Sequence, residues 1–395
     1  MSAAPFVPPP YPYERLDALG RLADSLPGGL VDCSVGTPCD PVPDFVAAAA
    51  AAALRDSAGY PPSAGTAAYR EAAAAWIDRR LGATVSPANV GVCIGTKEFV
   101  GGLPQLLYRR DPSRDTVLFP AVAYPTYEMG ATLAGIRSVA VPLDADWHLD
   151  LDAIDPTDAA RALVLWINEP GNPSGCVADA ARMAAVAEWG RTHGVVVASD
   201  ECYVEFARDR HTILAAGSDG VLAVHSLSKR SNLAGMRAGF YAGDAELVRY
   251  LVEARKHWGF MAPTPVQAAA VAALADDEHV AVQRGRYEER RALMLEALAP
   301  LGLVHDGGPA AFYLWLRSAH GVDDGWEIAA RLAHGGILVA PGDLYGPAGA
   351  DHVRLALVQP TDRLEFAAAR LADVVTDSDE RRTHEMDPTA KRSPR

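Results

Sequence analysis

The segment His225 to Phe240, HSLSKRSNLAGMRAGF, constrains this chain more than any other. The run that leads into it, Val221-Leu222-Ala223-Val224-His225, is short and apolar and reads as a buried strand. Lys229 then stands just past a strand end, where open α/β sheets place their ligands. Ser226 and Ser228 offer hydroxyl donors, Arg237 offers a planar fork for a phosphate, and Gly235 and Gly239 let backbone pass close by. A lone lysine after a strand is ordinarily a solvated surface residue. With Ser-x-Ser before it and Gly-x-Arg-x-Gly behind it, the pattern describes an amine held beside a phosphate.

Such an amine suits a Schiff base with pyridoxal phosphate, because neighbouring positive charge and partial desolvation lower a lysine pKa toward the working range. Ser226-Leu227-Ser228-Lys229 followed by Gly235-Met236-Arg237-Ala238-Gly239 resembles the lysine signature of class I aminotransferases, the fold-type-I pyridoxal phosphate enzymes. The resemblance implies an α/β fold: a mainly parallel seven-stranded sheet flanked by helices, with a smaller α/β domain built from both chain ends. It also implies a homodimer with sites at the interface, and ping-pong transamination in which Lys229 holds the cofactor and then serves as general acid/base. Residues 1–44 are expected to form an arm and part of the small domain, 45–275 the large cofactor domain, 276–376 the C-terminal small domain, and 377–395 a disordered tail.

Composition agrees with this and removes alternatives. A chain of 395 residues, 49% hydrophobic and 22% charged, has the length for two domains and the make-up of a soluble enzyme. Its net charge of -14 argues against nucleic acid, so small acidic substrates must be captured by local cations. Cysteines at 33, 39, 93, 176 and 202 form neither a CxxC pair nor an even-numbered framework, which favours a reducing cytoplasm and points to no metal site. No apolar run approaches the ~20 residues of a membrane span. The opening MSAAPFVPPPYPYERL reads as an arm laid over another surface rather than a helix. A regulator with an aminotransferase-like sensing domain would need a basic helix-turn-helix segment, and none is recognisable in the sequence.

The remaining candidates follow in chain order. Val31 to Val35 reads as a strand ending at Gly36, a turn where the resemblance places a substrate contact. Tyr60, in a proline-rich loop, matches a tyrosine that crosses to the neighbouring subunit's cofactor phosphate. Asn89 to Ile94 runs into Gly95-Thr96-Lys97-Glu98 and a helix; a strand, a small turn and a helix N-terminus make an anion site. Tyr124 matches the ring stacked on the pyridine face. Asn172, within Asn-Pro-x-Gly, matches the donor to the cofactor's phenolic oxygen and a substrate contact. Asp200 matches the partner of the pyridinium nitrogen, which keeps the ring an electron sink. Tyr203 matches the second phenolic donor. Asn172, Asp200 and Lys229 each follow a separate buried strand, as strands converging on one rim would. Arg354 matches the clamp for the substrate α-carboxylate; an internal ion pair is its bland alternative. Lys97 is left between the phosphate cup, a remote substrate acid, and a simple pair with Glu98.

Within the class, Gly95 to Glu98, Tyr124 to Glu128, Ser199 to Tyr203 and His225 to Gly235 are similar to actinobacterial N-succinyldiaminopimelate aminotransferases. That implies glutamate and 2-oxoglutarate as co-substrates. Asn168-Glu169-Pro170-Gly171 and Met236 depart from the pattern. A paralogue acting on another amino acid, or a lyase using the same cofactor cup, stays open.

Overall fold

A computed structural model describes residues 5–372. Its centre is a seven-stranded sheet in the order Val90–Ile94, Ala238–Gly243, Val221–Ser226, Val196–Asp200, Ala162–Asn168, Thr116–Pro120, Arg137–Val141. All neighbours are parallel except the two pairs made by Ala238–Gly243. Ala162–Asn168 and Val221–Ser226 are buried at every position. Helices cover both faces of such a sheet, so its inner strands are unbroken apolar runs instead of alternating ones. The crossover helix Ala180–His193 shows how locally these elements are specified. Asp179 caps it by accepting the Arg182 N–H at 2.8 Å, and Gly194 ends it at φ 63.

A second core joins the chain ends. Val31–Asp32 pairs in parallel with Ile337–Leu338, and Val31 and Cys33 pack with Phe312, Leu314 and Val353. Beside them runs a four-stranded antiparallel sheet ordered Ala340–Pro341, His352–Ala356, Tyr313–Ser318, Leu303–His305. Three strands predicted by short apolar runs, Val31 to Val35, Ile337 to Ala340 and Ala311 to Leu316, are corrected here. The Val31 to Val35 strand is cut to two residues, because its partner offers only two before the chain changes sheets. Ile337 to Ala340 divides for the same reason: Ile337 faces Val31, whereas Ala340 faces Arg354. The expected strand from Ala311 begins at Tyr313, since Ala311 takes φ 58, a left-handed conformation that interrupts extended chain. The expected tail 377–395 lies outside the described residues.

Candidate active site

Parallel strands that end at one rim set the site. Asn168 pairs with Asp200, and Asp200 with Val224, so the segments leaving these strands emerge side by side. Lys229 is not on bare loop after the strand but in a one-turn helix, Leu227–Arg230. Ser226 caps that turn, its Oγ accepting the Ser228 N–H at 3.1 Å. The lysine projects into a cavity of about 300 Å³. Its Nζ donates to the Gly36 carbonyl, which brings the small-domain wall onto the large-domain rim. Burial, with Arg354 and Arg237 adding repulsion, lowers the Lys229 pKa to about 8.

One end of the cavity is built for an anion. Thr96 opens the helix Thr96–Arg110, whose N-cap Gly95 has φ 72. A Cβ on Gly95 would collide with the Arg237 guanidinium, so glycine is what lets that side chain lie against the helix N-terminus. Arg237 Nη1 donates to Ala234 O at 2.8 Å, which aims the fork. Ser226 and Ser228 line the same cavity.

Deeper in, Asp200 is 6% exposed, and its Oδ2 accepts from Tyr127 Oη at 2.9 Å while Oδ1 accepts from the Cys202 N–H at 3.2 Å. Burial pushes its carboxyl up, and these donors with the Lys229 charge oppose that rise. Tyr124 flanks the cavity, edge-on to Tyr127 at 6.0 Å. An amine, a carboxylate and a phosphate cup with one aromatic wall are the complementary groups for pyridoxal phosphate. Glycine at 95 lets the Arg237 guanidinium lie at the helix N-terminus, the pair of groups that suits the cofactor's phosphate. Lys229 would hold its aldehyde carbon, Asp200 its ring nitrogen, and Arg237, Ser226, Ser228 and the helix N-terminus its phosphate.

Opposite this cup stands Arg354, 2% exposed. Nη1 donates to Asn172 Oδ1 at 2.8 Å and Nη2 to Ser34 O at 2.6 Å, and Nε has no partner. The rings of Tyr313 and Tyr345 lie 4.3 and 4.9 Å from the guanidinium carbon. Among the described residues no carboxylate pairs with it, so the internal ion pair that was the bland alternative is absent. Asn172 spends its carbonyl on this arginine and leaves Nδ2 as the donor it offers the cavity. Tyr203 Oη shares a 2.8 Å hydrogen bond with Tyr313 Oη.

Of the residues singled out in the sequence, Gly36, Thr96, Lys97, Tyr124, Asn172, Asp200, Tyr203, Ser226, Ser228, Lys229, Arg237 and Arg354 all border this one cavity. Tyr60 does not; it is 97% exposed. Lys97 does not pair with Glu98, whose carboxylate is taken by Arg255 Nη1 at 2.9 Å. Lys97 lies instead over the Tyr11 ring at 4.7 Å and donates to Tyr11 Oη at 3.3 Å. The proline-rich arm is corrected at its end, where proline at the first position starts the short 3-10 helix Pro12–Leu16. Tyr11 and Tyr13 stack at 5.6 Å over this chain's own cavity, and Tyr13 Oη meets Tyr345 Oη at 2.6 Å. Sequence reasoning missed Tyr127, Tyr313 and Tyr345. Tyrosines in strands and helices ordinarily read as core, and only the contact with Asp200 or Arg354 distinguishes these three.

Comparison with known proteins agrees with the geometry. Residues 29–371 match the family model described as aminotransferase class I and II. A probable aminotransferase of Mycobacterium tuberculosis is 45% identical, over 92% of this chain and 85% of that protein. The 4-dedimethylamino-4-oxo-anhydrotetracycline transaminase OxyQ of Streptomyces rimosus is 43% identical, over 92% of this chain and 99% of that protein. Among solved structures, a probable N-succinyldiaminopimelate aminotransferase of Thermus thermophilus superposes with TM-score 0.83 at 34% identity, over 92% of this chain and 100% of that one.

Proposed function

From the premise that this chain belongs to the aminotransferase class I and II family and uses pyridoxal phosphate, we propose that it transfers an amino group from glutamate to the keto form of N-succinyl-LL-diaminopimelate. The observation that carries this reading is the pair of cations facing one cavity, Arg354 and Lys97. Arg354 suits the α-carboxylate that every amino-acid substrate has. Lys97 suits a second, remote acid, which both glutamate and the succinylated acceptor possess. Likeness to the Thermus thermophilus protein supports it further.

The chemistry assigned to each residue follows from its place. Bound in the cup, the cofactor supplies an aldehyde to link amines and a ring that accepts an electron pair. Lys229, with its pKa lowered to about 8, has a usable share of neutral amine near neutral pH. Once free, its Nζ takes the proton from the substrate Cα and returns it. Arg354 holds the substrate so that Cα faces that nitrogen. Asp200 keeps a negative charge at the deep end, where Tyr127 and the Cys202 N–H orient it. Tyr203 and the Asn172 Nδ2 offer hydrogen bonds along one edge. Tyr11 and Tyr13 narrow the mouth and limit water.

The proposal includes a cytoplasmic homodimer. Tyr60 and Leu54 are 97% and 66% exposed here, surface that a second copy would cover, with Tyr60 reaching the partner's phosphate cup. A second reading has its own support: the tetracycline transaminase aligns along nearly its whole length, and the tyrosine-walled mouth suits a bulky acceptor. The test is a half-reaction series. Glutamate first converts the enzyme to its amine form, and the recovery of the aldehyde form is then followed with the succinylated keto acid, with aromatic and branched keto acids, and with polycyclic ketones. A succinylated acceptor that is not preferred by kcat/KM overturns the substrate proposal.

A further inference from the structure

Behind the deep wall, on the side of the sheet away from Asp200, two titratable groups have no part in the chemistry above. Glu201 follows Asp200, and His225 precedes Ser226, on neighbouring strand ends. Both are buried, at 1% and 3% exposure. Glu201 Oε1 accepts the Ile213 N–H at 2.8 Å, whereas Oε2 has no hydrogen-bond partner. Neither ring nitrogen of His225 has one, nor does the neighbouring Ser199 Oγ. His225 Nε2 stands 3.5 Å from Glu201 Oε2, and a cavity of about 10 Å³ borders both residues. The imidazole is wedged between Trp76 and Phe240, with ring centroids 5.0 and 5.1 Å away.

The surroundings decide where charge resides. The other ionisable groups facing this pocket are Glu205, Arg230 and Cys202, with Asp200 adjacent in the chain. Arg230 is committed to Glu205, its Nε 3.3 Å from Oε1, and Arg80 joins the same carboxylate at 2.8 Å. Among the described residues Glu201 therefore has no cation beside it. Its environment offers the Ile213 backbone donor, the Thr212 and Ser199 hydroxyls and an imidazole, all of them neutral; Asp200 has a phenol, a backbone donor and the charge of Lys229. Two consecutive buried carboxyls so differently served separate into one acid and one anion.

We propose that Glu201 is a neutral carboxylic acid in the working protein, donating its proton to His225 Nε2, and that this leaves Asp200 without a second carboxylate charge beside it. The arrangement accounts for the orphaned atoms of this pair together. With the proton on Oε2, a small approach from 3.5 Å closes an O–H···N bond that satisfies Oε2 and Nε2 and fixes the other nitrogen as Nδ1–H. One water in the small cavity can accept from that group, since the cavity has about the room a single water needs. Glu201 is thus a positioning residue that acts through its lack of charge. Burial raises its pKa to about 8 and lowers that of His225 to about 3, both in the direction the geometry requires.

Infrared spectra of the full-length holoenzyme with isotope-labelled glutamate test this directly. The expected result at neutral pH is a label-sensitive C=O band of a protonated carboxyl, absent from Glu201→Gln and fading in the wild type as pH rises past about 8. A wild-type spectrum with carboxylate bands alone overturns the proposal without needing any variant to fold. Stability gives an independent readout. A carboxyl with a raised folded-state pKa stabilises the fold below its unfolded value and loses that contribution as pH rises to about 8. The wild-type unfolding constant should therefore rise relative to that of Glu201→Gln by about tenfold per pH unit between roughly pH 5 and 7. A constant ratio contradicts the assignment. Finally, the amide is neutral like the acid it replaces, so the acidic limb of the kcat/KM profile stays in place. Displacement by about one pH unit would mean that Glu201 had carried charge next to Asp200.

Discussion

Arg354→Ala is the most informative single change, because the structure shows how many donors it removes. A guanidinium has five N–H groups. Asn172 and Ser34 use one each on Nη1 and Nη2, leaving one on each of these nitrogens together with the unpartnered Nε–H. Two adjacent free donors are what a bidentate carboxylate needs. Hydrogen bonds to charged groups contribute about 1.5–3 kcal/mol each, so losing two costs about 3–6 kcal/mol, or roughly 10²–10⁴ in kcat/KM. The loss should be uniform across glutamate, the succinylated substrate and aromatic amino acids, since all share the α-carboxylate. Arg354→Lys keeps a charge but not the fork and should fall between, about 10–100-fold below wild type. Steady-state kinetics on that substrate panel, with cofactor absorbance as a check on the cup, measures this. A deficit confined to substrates with a second acid, or one below about threefold, would refute the assignment of Arg354 to the α-carboxylate.

The other expectations address different walls of the same cavity. Recombination of apoenzyme with pyridoxal phosphate should speed up as pH rises and level off beyond about 8, because neutral Lys229 is the reactive form; an inflection at the ordinary lysine value of about 10.4 would contradict it. Gly95→Ala forces a Cβ into the Arg237 guanidinium at a positive φ and should weaken cofactor binding about tenfold or more by equilibrium dialysis, the loss of one charge-assisted contact. Unchanged affinity would remove Gly95 from the phosphate cup. Lys97→Ala should raise KM about tenfold for substrates with a remote acid, about 1.5 kcal/mol, and leave aromatic ones alone; equal effects on both would show that Lys97 serves the cofactor instead.

Local chemistry made much of this protein legible before any fold was in hand. The strands into Asn172, Asp200 and Lys229 are unbroken apolar runs ended by turn residues. The helix from Ala180 announces its limits with Asp179 and Gly194, and each of these signals acts within a few residues of itself. The short phosphate-binding stretches are legible for the same reason, since a cup is made of consecutive backbone and near neighbours. Tertiary structure alone decided what depends on pairing between distant segments. The Val31 strand shrank because its length is set by Ile337–Leu338, some three hundred residues later. Tyr127, Tyr313 and Tyr345 carried no role in the sequence because a phenol's role is set by the group it meets, and Asp200 and Arg354 come from other elements. The arm that carries Tyr11 and Tyr13 has no periodicity to read, and only packing shows that it closes over its own chain's cavity. Charge state follows the same division. Sequence names the carboxyls at 200 and 201, but burial and the donors assembled around each determine which one keeps its proton.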